Sequence, residues 1–492
     1  MFWPFSRNPA APTRAASPTP PVRTRTATRR YDGAQNSDLF HGWGVSNTTA
    51  DAILWSDLSR LRARSRDIMR NNPYAKRFKR MVVSNVIGSQ GIRYQAKVTD
   101  PSGATDTLAN TKIETGWKEW ARRCDVTGKM SIRQLSEIAL SNVVADGEVL
   151  IRKYFGRGRF GLELQLLEID HLPENFNDTR RNIRMGIEHD DLGRPVAYWL
   201  YKHHPGEASA ALSQELIRVP AEEIIHLYRP DRISQTRGVP WVHASMTNLK
   251  MAGGYEEAEL VAARLGAAKG GFYKRPADEP YVGDDKDAET NDPIQEITPG
   301  MYETLPEGWD FVPFDPTHPT SAFSDFNKAI LRGIASGFDV AYNSLANDLE
   351  GVNFSSIRAG VLDERDVWMM LQSWVIESFM DDVADEWLRM ALLTQAVALP
   401  LSKLDKFRAR QWMPRRWPWV DPQRDMTANI LAIKARLKAP SMVAAEMGYD
   451  LEEVYSAIER DAKLREDKGI TDIGDAEILH LLAQINQGDD HA

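Results

Sequence analysis

Apolar residues recur along this chain in two rhythms, and the rhythm predicts the elements. Phe326, Ile330, Ile334 and Phe338 stand at four-residue steps, which predicts an amphipathic helix from Ser324 to Phe338. From Val361 to Leu399 there is neither Gly nor Pro, and Trp368, Leu371, Val375, Phe379, Val383 and Trp387 recur at threes and fours. That pattern predicts one long helix with an apolar stripe, on the order of 55–60 Å at 1.5 Å of rise per residue. Between the two, Asn343 to Ser356 mixes Asn, Ser and Gly, which compete for backbone hydrogen bonds and favour a loop. A helix, a polar loop and a long helix make scaffolding and do not resemble a catalytic pocket.

The same reading extends over the rest of the chain. Ala50 to Asn85 reads as helix, interrupted at Asn71-Asn72-Pro73, because the residue before proline is pushed out of the helical region. Val86 to Val98 reads as strand with a Gly88/Gly91 turn, and Asp106 to Cys124 and Ser131 to Asp146 read as helices. Gly156, Gly158 and Gly161 have the spacing of a dinucleotide-binding glycine loop. That fingerprint needs a helix after the glycines, whereas Leu162, Leu164 and Leu166 alternate with strand period. The glycines therefore predict a β-hairpin turn. Strands follow at Pro195–Tyr201 and Glu223–Leu227, so residues 86–230 form a mixed α+β region. Pro240 suits the first turn of a helix that runs to about Ala268, broken or kinked near Gly253-Gly254. Its second half is narrow, with Ala262, Ala263, Gly266, Ala267 and Ala268, which permits close helix–helix approach. Residues 272–320 are rich in Pro, Asp and Gly, with strand-like pieces such as Trp309–Phe314: a small β insertion between two helices. Trp412, Trp417 and Trp419 among prolines predict an edge docked on a core. Asp450 with Glu453 predicts a helix cap, Gly469 a helix end, and residues 475–487 a last amphipathic helix.

Composition narrows the function. At 492 residues the chain exceeds a single core. A net charge of −8 argues against a surface that grips nucleic acid throughout. The lone Cys124 excludes an internal disulfide framework and a cysteine metal cluster. No apolar run approaches a membrane span, and the N-terminus lacks the apolar core of a secretory signal. Residues 1–30 contain Pro, Ala, Thr and Arg but no acid, and read as a disordered basic arm, either a contact for nucleic acid or an acidic partner, or a solvated tail. The cations from Arg60 to Arg80 read as a solvated helix face. There is no phosphate-binding glycine loop with Lys, no H-E-x-x-H and no nucleophile turn. His203-His204 read as loop residues. Asp381, Asp382, Asp385 and Glu386 have the residue types of a metal-dependent nuclease, but Asp382 and Glu386 fall on the polar face of the long helix, opposite its stripe. The expectation is no enzyme, no cofactor and no metal.

Seven stretches in order carry a resemblance: RARSRDIMRNNPYA (62–75), NVIGSQGI (85–92), ADGEVLIR (145–152), YRPDRISQTRGVPW (228–241), YEEAELVAARLGA (255–267), GVNFSSIRAGVLDE (351–364) and RRWPWVDPQRD (415–425). Together they resemble the portal proteins of tailed bacteriophages, lambda type. The resemblance implies an α+β portal fold: residues 31–238 as wing, 239–269 as first stem helix, 270–320 as clip, 321–339 as second stem helix, 340–356 as tunnel loop, 357–424 as long wing helix and wing return, and 425–492 as helical crown. It implies a homo-oligomeric ring, commonly dodecameric, at one capsid vertex of the virion, assembled in the host cytoplasm and without a membrane. Double-stranded DNA passes through without sequence recognition. Implied protein partners are the terminase large subunit, the major capsid and scaffold proteins, and head–tail connector proteins.

DNA that must move both ways should be held weakly, since repeated Lys–phosphate contacts would trap it. A tunnel loop carrying Asn343, Ser344, Asn347, Asn353 and Ser355 fits low friction, and Asp348 and Glu350 are expected to repel phosphate. Lys328, Arg332, Arg264 and Lys269 are the stem candidates for sparse, shape-only contacts. The rival readings are a dehydrogenase at Gly156–Gly161, a packaging ATPase, or another head–tail connector or adaptor. The first two lack their loops. The third leaves the insertion between stem helices unexplained.

Overall fold

A computed structural model describes residues 47–207, 215–267, 271–274, 310–313, 323–350, 354–419 and 421–469. The chain divides into Met1–Thr48 and Thr49–Ala492, and everything below concerns the second unit. Its helices are α1 (Ala50–Asn71), α2 (Pro73–Val86), α3 (Thr107–Trp120), α4 (Ile132–Asp146), α5 (Met246–Ala267), α6 (Phe323–Gly337), α7 (Tyr342–Ala346), α8 (Phe354–Val375), α9 (Asp381–Leu393), α10 (Leu404–Phe407), α11 (Pro422–Lys434), α12 (Pro440–Glu446) and α13 (Leu451–Lys468). Its strands are β1 (Arg93–Ala96), β2 (Glu148–Phe155), β3 (Leu162–Leu167), β4 (Ile183–Arg184), β5 (Ile187–His189), β6 (Pro195–Tyr201), β7 (Leu216–Pro220), β8 (Ile224–Tyr228), β9 (Gly271–Lys274), β10 (Asp310–Pro313) and β11 (Arg410–Met413). The fold is mixed α+β.

Local chemistry explains most boundaries. Asn72 separates α1 from α2 and caps the latter, its side chain accepting from the N–H groups of Tyr74 and Ala75 while Pro73 opens the helix. Ser131 and Gln134 form a reciprocal capping box on α4, and Gly147, at φ 90°, ends it in the left-handed region. Asp450 caps α13, which Gly469 closes.

Two antiparallel sheets follow α4. One has the order β3-β2-β8, the other β4-β5-β6-β7. The predicted hairpin is present, with Phe155 opposite Leu162 and Gly156 N–H donating to Gly161 O at 2.8 Å. β1 pairs with β11, bringing the Trp-rich segment onto the body. The main core lies between α4, the first sheet and the long helix. At its centre Trp387 is fully buried against Trp117, Trp120 and Phe160. Trp412 packs edge-on to Tyr94 and Trp117 and donates to Asp381 Oδ1 at 2.9 Å.

Several predicted boundaries are corrected. The long helix begins at Phe354, ends at Leu393 rather than Leu399, and carries a π-helical turn over Ile376–Met380. That turn re-phases the stripe so that Phe379 and Met380 are both buried. The long strand expected over Val86–Val98 shrinks to β1, because α2 runs through Val86. The helix expected from Pro240 starts at Met246 after a 3-10 turn, and Gly253 and Gly254 lie within α5 without interrupting it. β9 and β10 pair antiparallel, Phe311 opposite Tyr273, at the two ends of the insertion. The helix expected over 475–487 lies outside the described residues.

Candidate functional site

The predicted stem and loop residues sit on α5, α6, α7 and the segment that follows. α5 and α6 contact through Tyr255, whose ring lies 5.2 Å from Phe326 and 5.6 Å from Phe323. Asn327 and Tyr74 both donate to Glu256 Oε1, at 3.2 and 3.1 Å. At the other end Ser245 Oγ donates to Ile334 O at 3.3 Å. Of the four stripe residues, three on α6 and Phe338 just past its end, Ile334 and Phe338 are buried, Ile330 is half-buried and Phe326 is exposed. Phe338 stacks on Phe78 of α2 at 4.2 Å.

The loop is more structured than its composition predicts. Asn343 and Ser344 belong to α7, and Asn347 closes that turn at φ 56°. Ser355 lies in the first turn of α8, not in the loop, because the helix already begins at Phe354. Asn353 and Lys269 lie outside the described residues. Arg77 Nε donates to Ser344 O at 2.6 Å, and Ser344 Oγ donates to Glu364 Oε2 at 2.7 Å, tying the turn to α2 and α8.

The two loop acids meet Lys328 of α6. Lys328 Nζ lies 3.4 Å from Glu350 Oε2 and 3.8 Å from Asp348 Oδ2. Tyr342 donates its hydroxyl to Asp348 Oδ2 at 2.8 Å, and the Arg332 guanidinium sits over the Tyr342 ring at 5.5 Å. The Tyr342 hydroxyl, the Glu350 N–H and the nearby Lys328 and Arg332 hold the Asp348 carboxyl below its ordinary range. Burial and the bond to Asp348 push Tyr342 up to about 12. Lys328, Arg332, Asp348 and Glu350 thus form one cluster, whereas Arg264 stands apart, exposed near the end of α5. Tyr342, Arg77 and Glu364 anchor the loop and were missed. Tyr342 is the one with a usable sequence signal, a phenol six residues before an Asp next to a polar turn.

A second cluster overturns the solvated-face reading for Arg62 and Arg66, while Arg60, Arg64 and Arg70 are exposed as expected. Arg62 is buried and bonds to Glu148 and Glu174. Arg66 bonds to Asp146 at 2.7 Å and also to Asp170. Glu148, fully buried, further accepts from Arg237 Nε at 2.9 Å, from His226 Nε2 at 2.7 Å and from Gly238 N–H at 2.8 Å. Burial alone would raise the Glu148 carboxyl, but Arg237, Arg62 and the His226 bond hold it down, to about 2. Burial lowers His226, which stays neutral and donates. Gly238 and Gly147 meet backbone to backbone, since a Cβ on Gly147 would lie 2.7 Å from the Gly238 carbonyl carbon and closer still to Val239. Three of the stretches singled out above, 62–75, 145–152 and 228–241, therefore converge on one carboxylate at the entry to α5.

Neither cluster assembles a reaction centre. The acids of the long helix are engaged with bases: Asp381 and Asp385 with Arg410, Asp382 with Lys153, Glu386 with Arg389. Glu168, Asp170 and His204 come close enough to hold a cation. His204 Nδ1 accepts from Gly206 N–H, and its Nε2 lies 3.1 Å from Glu168 Oε2.

These features define a structural subunit whose ion pairs organise its body and whose loop is tethered to a two-helix element. The chain belongs to the phage portal protein, lambda family, whose description matches residues 36–372. It is similar to the "Probable portal protein" of Halomonas phage phiHAP-1, 37% identical, covering 91% of this chain and 89% of that one. It is also similar to "Portal protein B" of Escherichia phage lambda, 21% identical over 90% of this chain and 92% of that one. Among solved structures, a chain in the neck of a native gene transfer agent particle computed with C12 symmetry is 12% identical, with a TM-score of 0.42, over 78% of this chain and 93% of that one. The protein is a phage portal protein, structural and not an enzyme.

Proposed function

We propose that this chain closes into a ring, dodecameric in the particle, at one capsid vertex, and that double-stranded DNA enters and leaves through it. The terminase large subunit docks on the ring during packaging, head–tail connector proteins later, and capsid and scaffold proteins surround it. The observation that carries the ring is α5. Most of its circumference faces solvent in a single chain, and Met251, Leu260 and Val261 are 68%, 64% and 48% exposed. A helix with this much uncovered apolar surface marks an interface, and the small residues Gly254 and Ala258 beside it permit close approach by the next copy. α11, α12 and α13 agree, for none has a buried residue while Leu431, Met442, Tyr455 and Leu464 are all exposed.

In this ring residues 239–269 and 321–339, which carry α5 and α6, are the stem, residues 270–320 the clip, and residues 340–356 the tunnel loop. Lys328 is shared between Asp348 and Glu350, so its attraction for phosphate is partly spent. Glu350, with its side chain 83% exposed, is the acid left to repel the duplex. Purified protein examined by mass photometry and negative stain should show closed annuli. A chain that remains monomeric as concentration rises overturns the ring. Glu350→Lys should reduce the DNA packaged per particle, and unchanged packaging removes the repulsive role while leaving the ring intact.

A further inference from the structure

A groove of about 1000 Å³ runs between α2 and α4, away from the stem and loop residues discussed above. Arg70, Lys76, Lys79 and Arg80 line it, and none of the four makes an ion pair among the described residues. This contrasts with Arg62 and Arg66 on the preceding turns, which are consumed by buried acids. The floor and far wall carry Met69, Val83, Ala145, Ser141, Asn142 and Ile138, which is 43% exposed, together with Glu137 and Asp146, paired with Arg133 and Arg66, and Glu168. Lys76, Lys79 and Arg80 stand at i, i+3 and i+4, so they cluster on one face of α2 within about one helical turn, roughly 5.4 Å.

We infer that this groove is a docking site for an acidic amphipathic helix of a protein partner of the portal. A helix of roughly 10–12 Å diameter lies along a trough between two helices, and carboxylates at i, i+3 and i+4 on it form a cluster complementary to the cations. Its apolar stripe covers Ile138 and Val83. Duplex DNA is the poorer occupant. Its phosphate rim has no apolar surface to lay over Ile138 and Val83, whereas an amphipathic helix has. The groove gives the chain, acidic overall at −8, one concentrated basic face that selects against its own net charge. The inference goes beyond the ring and needs it only for the expectation of one site per subunit.

The test uses the purified full chain and a fluorescein-labelled synthetic peptide roughly 18 residues long, five helical turns, with leucines along one face and glutamates on the other. Binding is read by anisotropy, and the oligomeric state of the same samples by mass photometry. The expected result is salt-sensitive binding that weakens about tenfold in Lys76→Glu/Arg80→Glu, weakens less in Ile138→Ser, and is unchanged in Lys434→Glu on α11. A scrambled peptide of equal charge should bind more weakly than the patterned one. Three results overturn the inference: equal binding by all variants, displacement of the peptide by a short DNA duplex more readily than by unlabelled peptide, or loss of rings in Lys76→Glu/Arg80→Glu, which makes the groove a subunit contact. Peptide binding by a protein that forms no rings would refute the ring and leave the groove standing.

Discussion

Glu148→Gln isolates the buried charge near the entry to α5 while keeping its shape. The wild-type carboxylate takes hydrogen bonds from Arg62, Arg237, His226 and the Gly238 N–H, with no solvent contact. The amide keeps an acceptor oxygen but presents an NH2 to a ring of donors. It also leaves Arg237, itself fully buried, without its carboxylate, while Arg62 retains Glu174. Removing one partner of a buried pair costs about 3–5 kcal/mol. The proton linkage gives a similar figure: a carboxyl lowered from 4.5 to about 2 stores about 3 kcal/mol at neutral pH. Because the folded value is depressed, that stability is complete above pH 4.5 and is lost as pH falls toward 2. His226 acts in the same direction. It is held neutral in the fold, so the unfolded chain gains a proton as pH drops below 6.5. Guanidinium unfolding followed by tryptophan fluorescence, from pH 7 to pH 3, measures both. The variant should lose about 3 kcal/mol at pH 7 and show a flatter acid limb, so that the two proteins converge at low pH. A loss under about 1 kcal/mol at pH 7, or parallel acid limbs, refutes the reasoning, since burial would then be tolerated without compensation.

Two further outcomes are expected. Gly147→Ala combines a left-handed φ of 90° with a Cβ pressed into the Gly238–Val239 backbone. It should cost more than the ~1 kcal/mol of an ordinary left-handed glycine replacement, read as a lowered thermal midpoint, whereas Gly128→Ala, also at positive φ but with open space at its Cβ, should lose only that ordinary amount. Cys124 is buried, and burial followed by Asp125 pushes its thiol up to about 12, so the native protein should resist iodoacetamide at pH 8 and react only on unfolding. Rapid native labelling contradicts this.

Much of the fold was legible because short-range chemistry decides it. Asn72-Pro73, Ser131 with Gln134, Gly147, and Asp450 with Gly469 place helix ends through bonds that span a few residues, and the leucines after Gly161 identify a strand by period alone. Where long-range packing decides, the pattern misled. The run of arginines in α1 looks uniform in sequence, yet Arg62 and Arg66 are consumed by acids 80 or more positions away while Arg70 is not. Position on the helix separates them. Arg62, Ser65, Arg66 and Met69 share the face turned toward α4, with Ser65 donating to Ala145 O, and amphipathic analysis assigns charged residues to solvent before asking what the facing element carries. The same holds for the loop, where composition announced Asn, Ser and Gly but not that Lys328, Tyr342 and Arg77 would tie it down. Buried charge is costly unless partnered, so an Arg on an otherwise apolar helix face is itself evidence for an acid across the interface. Applied to 62–75, that rule asks for a buried carboxylate elsewhere, and the Glu of ADGEVLIR supplies it, opening a strand whose first four residues are all buried.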